Sequence, residues 1–471
     1  MTEQYTPEEP ISSIATALAP AALGIVRVSG KNCIELVSKV FSRPKALMEA
    51  GGNSLVYGWI LDGNQKIDEV MLAVYRGPKS FTGEDMVEIS CHGGPAVVTA
   101  IQNLMLKSGF RQANRGEYTF RAYINGKTDL TKAEAVKEII DSHTDLSRSH
   151  AVGRLAGSLF TEIDSIKKLI IDTLASIEVE IEYPEDEETI ADTFDRRDIE
   201  IAISRLQDLV DSWQGEKLYQ DGARVVLAGR TNAGKSSLFN AILKEERAIV
   251  SDIEGTTRDW LESWASINGI PVRLFDTAGL RETEDKIEAQ GVQLTKNLAQ
   301  DADLVLYLVD SNQNLNDEDY HFIKNSQEPL LLVFTKMDLK QDVACSQEKL
   351  RAEMQAAGIA DCDSLLADAT YISAKNGAGL KELYAKMTKV LTAGLATERQ
   401  QAGLGSARQK EAVAEALECV KHALVSADDN FTLDAVVQDL EDSLDALGQV
   451  TGDVTPDDVL GSIFANFCVG K

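Results

Sequence analysis

The sequence is short of several features, and each shortage narrows what it can be. Its 471 residues include 6 cysteines (Cys33, Cys91, Cys345, Cys362, Cys419 and Cys468), none in a CxxC spacing. That excludes a disulfide framework or a thiolate zinc site as an expectation and points to a reducing cytoplasm. No run approaches the ~18 uninterrupted apolar residues a membrane helix requires, so no membrane span is expected. The opening MTEQYTPEEP has neither the basic start nor the apolar core of a secretory signal. Positive charge is scarce: 47 Lys+Arg face 75 Asp+Glu, a net charge of −28. Bulk electrostatics therefore argue against a nucleic-acid binder, and any such contact needs a local patch. Residues 1–130 hold 13 basic and 13 acidic side chains, so the whole deficit lies downstream. Within them Lys107, Arg111, Arg115, Arg121 and Lys127 cluster, opposed internally by Glu117. On charge alone a solvated face is as good a reading.

What is present is the composition of an ordinary globular protein, 44% hydrophobic and 26% charged, over a length that suits roughly three domains. Residues 12–130 mix β-branched runs (GIVRVSG, EVMLAVYRG, EDMVEISCHG) with a helical stretch, PAVVTAIQNLMLKSG, which predicts a compact α/β or α+β domain. Beyond residue 131 one apolar stripe is expected along a long helix: Leu155, Leu159, Ile163, Ile166, Ile170, Leu174, Ile177 and Ile181. It stops at Tyr183-Pro184. A second helix is expected over about 196–217, and helical periodicity returns from 405 to the end. Between them, about 221–385, apolar strands (RVVLAG, VRLFDTAG, ADLVLYLVD, PLLLVFTK, ATYISAK) alternate with helical segments, as in a parallel α/β sheet. The simplest arrangement inserts that α/β domain into one helical domain.

The central segment carries ordered motifs. Gly229-Arg-Thr-Asn-Ala-Gly-Lys-Ser236 matches GxxxxGK[ST] between a strand and a helix. Its glycines let backbone N–H groups curl around phosphates at the positive helix end. Lys235 would reach the β- and γ-phosphates and Ser236 would ligate Mg²⁺. Asn232, Ala233, Gly234 and Ser237 complete the loop. Downstream, GTTRD offers Thr257 as a switch threonine, and Asp276, Thr277, Ala278 and Gly279 close a strand towards the metal and γ-phosphate. Thr335, Lys336 and Asp338 (TKMD) end another strand, and Ser373, Ala374 and Lys375 the last. The Asp338 carboxylate suits the guanine N1–H and amino group. Adenine would leave it buried and unpaired, so GTP is expected over ATP. Two departures stand out: Thr335 occupies a place where many GTPases carry Asn, and Leu280 the place of a water-orienting Gln. The acidic run 281–288 offers Glu282, Glu284, Asp285 and Glu288 instead, or a solvated face.

With those residues in view, the chain resembles the MnmE (TrmE) family of tRNA modification GTPases. The likeness includes GIVRVSG, SFTGEDMVEISCHGGP, NRGEYTFRAYINGKTDL and the terminal FCVGK. The resemblance implies a multidomain α/β and α protein: an N-terminal α/β folate-binding and dimerisation domain over 1–125, a helical bundle over 126–218 and 389–471, and an inserted P-loop GTPase domain with a mostly parallel sheet over 219–388. It implies a cytoplasmic homodimer that joins an MnmG-type flavoprotein in a heterotetramer. Together they modify C5 of the tRNA wobble uridine with an aminomethyl-type group from a 5-formyl-tetrahydrofolate-like donor. Arg27, Glu88, Lys127 and Lys471 match the folate contacts; Arg and Lys suit carboxylates, and Glu88 suits pterin N–H groups. Asn232 matches a K⁺ ligand, with backbone oxygens of Ser251, Ile253 and Thr256 completing that site. Asp252, Glu254 and Gly255 share this nucleotide loop. Glu288 matches the residue that positions the hydrolytic water. As catalytic residues the resemblance thus singles out Glu288, Lys235 and Thr257.

Three side questions accompany this reading. Cys468 invites a nucleophile role, but no His partner is evident, and a neighbouring role near the folate site is expected. His92 is expected as a satisfied turn histidine rather than a catalyst. The competing functions are a ribosome-assembly or signalling GTPase and, more weakly, a coiled-coil scaffold built on the 155–181 stripe.

Overall fold

A computed structural model describes residues 9–182, 196–245, 261–276, 301–339, 347–359, 361–393, 402–428 and 433–470. The chain forms two compact units. One comprises Met1–Lys137, Gly153–Asp208 and Ser406–Lys471; the other comprises Glu138–Val152 and Leu209–Gly405. No helix among the described residues is long and apolar enough to cross a membrane.

The first unit contains a six-stranded sheet of β1 (Ile11–Ile14), β2 (Ala21–Ser29), β3 (Ser54–Asp62), β4 (Gln65–Tyr75), β5 (Met86–Gly93) and β6 (Arg111–Gln112), ordered β3-β4-β5-β2-β1-β6. Its pairs are antiparallel except β1 with β6. Strand alternation decides which residues are spent on the core. Val26 and Val28 are fully buried with Val87 and Ile89 opposite. Arg27 and Glu88, one step out of phase, face each other on the other side of the sheet.

The helices correct one expectation. The stripe does not start at Leu155: one helix ends there (Asp145–Leu155), and the next runs Ser158–Glu182. Gly157 sits between them at φ +99, a conformation that interrupts the helix and suits only glycine well. Leu155 is 38% exposed, whereas Leu159, Ile163, Ile166, Ile170 and Ile177 are completely buried. The helix packs against Leu433–Thr451 of its own unit, which makes the stripe bundle core rather than a free coiled-coil seam. The helix expected over 196–217 runs Arg196–Asp221.

The tail returns to the N-terminal sheet. Arg115 bridges Val469, and the Gly116 N–H donates to the Cys468 carbonyl at 3.4 Å. A side chain at Gly116 would collide with the Phe464 carbonyl at 2.6 Å, so the close approach requires glycine.

The second unit contains the other sheet: β7 (Ala223–Gly229), β8 (Leu261–Ile267), β9 (Ile270–Asp276), β10 (Leu304–Asp310), β11 (Leu330–Thr335) and β12 (Thr370–Tyr371), ordered β12-β11-β10-β7-β9-β8. All pairs are parallel except β8 with β9. Strand β8 was not among the expected strands. Asn268 and Gly269, both at positive φ, turn it into β9 as an Asn-Gly hairpin. The interior strands are apolar on both faces; every residue of β10 is buried.

Candidate functional site

Parallel pairing determines where the motifs meet. Leu227 lies beside Asp276, Gly229 beside Leu308, and Asp310 beside Thr335. The carboxyl ends of β7, β9, β10 and β11 therefore share one edge, where α/β sheets bind ligands.

At that edge the β7 strand turns into the helix Lys235–Glu245 through residues 229–234. Gly229 has φ +131, and a Cβ there would lie 2.3 Å from the Leu308 carbonyl. Asn232 at φ 61 and Gly234 at φ 99 continue the curl. The Lys235 ammonium donates to the Gly229 and Arg230 carbonyls at 2.7 and 2.8 Å, lying across the loop's concavity. Ser236 Oγ donates to Asp276 Oδ2 at 2.9 Å, which brings a hydroxyl and a carboxylate together, the hard oxygen donors Mg²⁺ takes. Ser237 follows as an exposed residue of the same helix.

The other motifs join here. Thr335 Oγ1 donates to the Ala233 carbonyl at 2.6 Å and lies 3.2 Å from the Val309 carbonyl, so its hydroxyl tethers the loop. Ser373 Oγ donates to Asp338 Oδ1 at 2.7 Å and joins TKMD to SAK. The segment 373–378 is closed by the Ser373 and Gly377 N–H groups, leaving Ala374 partly exposed and Lys375 exposed. Lys336, at φ 61, donates to Asp310 Oδ2 at 2.8 Å. Sequence reasoning missed Asp310, although it closes the run LVLYLVD. Burial opposes its charge. The bonds from Lys336 and Asn312 outweigh that and hold the carboxyl below its ordinary range.

Ser251, Asp252, Ile253, Glu254, Gly255, Thr256, Thr257, Thr277, Ala278, Gly279, Glu288 and Lys471 lie outside the described residues.

The second cluster lies in the other unit. Arg27 Nε and Nη2 both meet Glu88 Oε1, at 2.9 and 2.6 Å, and Nη1 donates to the Gly470 carbonyl at 3.2 Å. The guanidinium lies 5.7 Å from the Phe81 ring centroid and 5.5 Å from that of Tyr118. Tyr118 is fully buried, and its hydroxyl donates to the Arg27 carbonyl at 2.7 Å. Burial pushes that phenol's pKa up and keeps the proton in place. Sequence reasoning missed both rings. Arg27 and Glu88 thus come together beside the tail, while Lys127 donates to the Pro78 carbonyl at 2.9 Å and borders the loop carrying Phe81.

The basic cluster does not form a shared patch. Arg121 is 1% exposed and paired with Glu84 and with Glu117, itself fully buried. Arg111 is bound to Glu117 and Glu9. Both cations neutralise the buried Glu117, which commits them to the interior of the fold. His92 lies within β5, one residue before its end, rather than in a turn, and its Nδ1 lies 2.7 Å from Asp68 Oδ1. Cys468 is exposed.

A GxxxxGKS loop opening a helix at the carboxyl edge of a parallel sheet, beside a TKMD aspartate held by SAK, is the architecture of a GTPase. Two family models divide the chain: the GTP-binding protein TrmE N-terminus matches residues 10–127 and the MnmE helical domain matches 130–468. Proteins named tRNA modification GTPase MnmE are similar throughout. That of Treponema denticola is 51% identical over 99% of both chains, that of Treponema pallidum 42% over 99% of both, and that of Borreliella afzelii 39% over 100% of both. The chain belongs to the MnmE family of tRNA modification GTPases.

Proposed function

We propose that this GTPase is the GTP-hydrolysing component of a system that modifies C5 of the tRNA wobble uridine. It acts in the cytoplasm as a homodimer, with an MnmG-type flavoprotein in a heterotetramer. The observation that carries the nucleotide half is the tether from Thr335 Oγ1 to the Ala233 carbonyl, which couples the guanine-side motif to the phosphate loop. On this reading Lys235 leaves its two carbonyls for the phosphates, and backbone N–H groups of 232–237 line them. Asp338, oriented by Ser373, accepts the guanine N–H pair. Ser236 and Asp276 would hold Mg²⁺, which supplies charge neutralisation on the phosphates. Asn232, exposed and at φ 61, fits a first K⁺ ligand from this loop.

The Arg27–Glu88 pair supports the folate half. It is a largely buried ion pair on the sheet face opposite the core, close to the Phe81 and Tyr118 rings and to the Gly470 carbonyl. The exposed Phe81 ring suits a flat heterocycle, Glu88 suits its N–H groups, and Arg27 with Lys127 and Lys471 suits carboxylates, while the buried Tyr118 backs the guanidinium. The folate would supply a one-carbon unit. Arg27 and Glu88 hold each other until a ligand takes over part of their hydrogen bonding.

The test is mass analysis of wobble uridines in cells lacking this protein. The modified base should vanish, and return with the unaltered chain but not with Lys235→Ala. Normal modification without the protein would favour an assembly or signalling GTPase.

A further inference from the structure

Asp319 is 1% exposed, unusual for a carboxylate in the first turn of a helix. It takes part in a capping box at the start of the helix Asp317–Asn325: Asn316 N–H donates to its Oδ2 at 2.9 Å, and Asn316 Oδ1 accepts from its own N–H at 3.1 Å. A cap alone leaves such a carboxylate at the surface. Here the Tyr307 hydroxyl, from inside β10, donates to Oδ1 at 2.6 Å, and Arg230 Nη1 lies 3.3 Å from Oδ2. Arg230 is the second residue of the phosphate loop. Its fork also donates to Gln313 Oε1 at 2.6 Å and to the Asn314 carbonyl at 3.3 Å.

Thr335 and Arg230 both fasten the loop to neighbouring segments, with unequal strength. At Thr335, a single hydroxyl proton faces two carbonyls and satisfies one at a time. At Arg230, a guanidinium spreads three hydrogen bonds over the segment 313–319, one of them to a buried charge. The loop between them holds Asn232 and Gly234 at positive φ, a shape it must keep before nucleotide arrives. A loop that relaxed would have to be reordered at the expense of binding.

We propose that Arg230 is a positioning residue for nucleotide binding: through Asp319 and Tyr307 it keeps the phosphate loop in its receptive shape and makes up for the single donor at Thr335. This rests on reading 229–236 as the phosphate loop. The experiment measures GTP and GDP affinity and steady-state hydrolysis on the full chain. Arg230→Ala raises Kd for both nucleotides, and KM with them, about tenfold, the scale of one charge-assisted bond, while kcat falls less than threefold. Tyr307→Phe keeps the ring and removes only the hydroxyl; it weakens binding about threefold. It also serves if Arg230→Ala fails to fold. Adding Thr335→Asn to Arg230→Ala supplies a second donor and restores most of the affinity, a rescue a merely structural arginine would not show. Unchanged affinity in Arg230→Ala and Tyr307→Phe overturns the proposal. So does a loss of kcat at unchanged KM, which would put the guanidinium in the chemistry. Lys235→Ala separates the layers: if it binds normally, the phosphate-loop reading falls and this proposal with it. If it loses binding while Arg230→Ala does not, only this proposal falls.

Discussion

The two sheets build their clusters in opposite ways. In the second unit, the four strands that contribute to the nucleotide edge, β7, β9, β10 and β11, run parallel to one another, so each contributes from its carboxyl end. A functional group there follows a run of apolar residues directly, and the motif is continuous in sequence: VVLAG then RTNAGKS, LFD, LVFT then KMD. In the antiparallel N-terminal sheet the polar cluster sits in mid-strand, on the face opposite the core. Its members are 61 residues apart for Arg27 and Glu88 and 443 apart for Arg27 and Gly470. Parallel sheets write their sites as strand-end motifs, whereas antiparallel faces scatter theirs at period two. The first kind is readable from residue order; the second needs a resemblance or a structure.

The largest expected effect falls on the nucleotide edge. Lys235→Ala should lower kcat/KM for GTP hydrolysis by about 10²–10³, comparable to removing one electrostatic stabiliser from a reacting centre. It should leave thermal unfolding of the N-terminal unit unaltered. A variant within tenfold of the unaltered chain would break the assignment. The next effect tests the corrected helix. Ile163→Ala in the buried stripe should cost about 3 kcal/mol, and Leu155→Ala, outside it, under about 0.5 kcal/mol, both read by denaturant unfolding. Equal costs would mean that the break at Gly157 is wrong.

A smaller effect is expected at the antiparallel face. Arg27→Ala leaves Glu88 half-buried without its partner and should destabilise by about 1–2 kcal/mol, discounted for the access water has to the pair. A double-mutant cycle with Glu88→Ala isolates the coupling. GTP hydrolysis should be unaffected, because both side chains belong to the other unit. The smallest effect is a pH dependence within the second unit. The His143 ring stacks on Trp264 at 3.9 Å between centroids. Burial, countered in part by Asp141, lowers its pKa, with Arg273 acting in the same direction as burial. A depressed folded-state pKa means the unfolded chain binds more protons, so stability is present above the ordinary histidine pKa and falls as pH drops through it. His143→Phe should flatten that slope between about pH 7 and 5. An identical slope in both proteins would remove the stack from consideration.

GxxxxGKS, the aspartate that opens DTAG, TKMD, SAK and the apolar strands before them were legible because each is local. The break at Gly157 was not, because Leu155 and Leu159 are four apart and continue a helical period across a residue whose φ the sequence does not state. The inward turn of Arg121 was also hidden: one partner, Glu84, lies 37 residues away, and although the other, Glu117, is one turn away, charge counting treats a buried pair and a solvated face alike. Strand β8 was overlooked because the polar residues of LESWASI dilute its apolar signal, although Asn268-Gly269 announces the turn. The contact of Arg230 with Asp319 spans 89 residues and has no local signature.

The most direct measurement for the account is nucleotide preference in Asp338→Asn. If Asp338, held by Ser373, accepts the guanine amino proton, the amide should weaken GTP binding and favour xanthosine triphosphate, whose C2 oxygen accepts where guanine donates. A reversal of preference between the two nucleotides, read as the ratio of their kcat/KM values, is the predicted result; undiminished selectivity for GTP would contradict it.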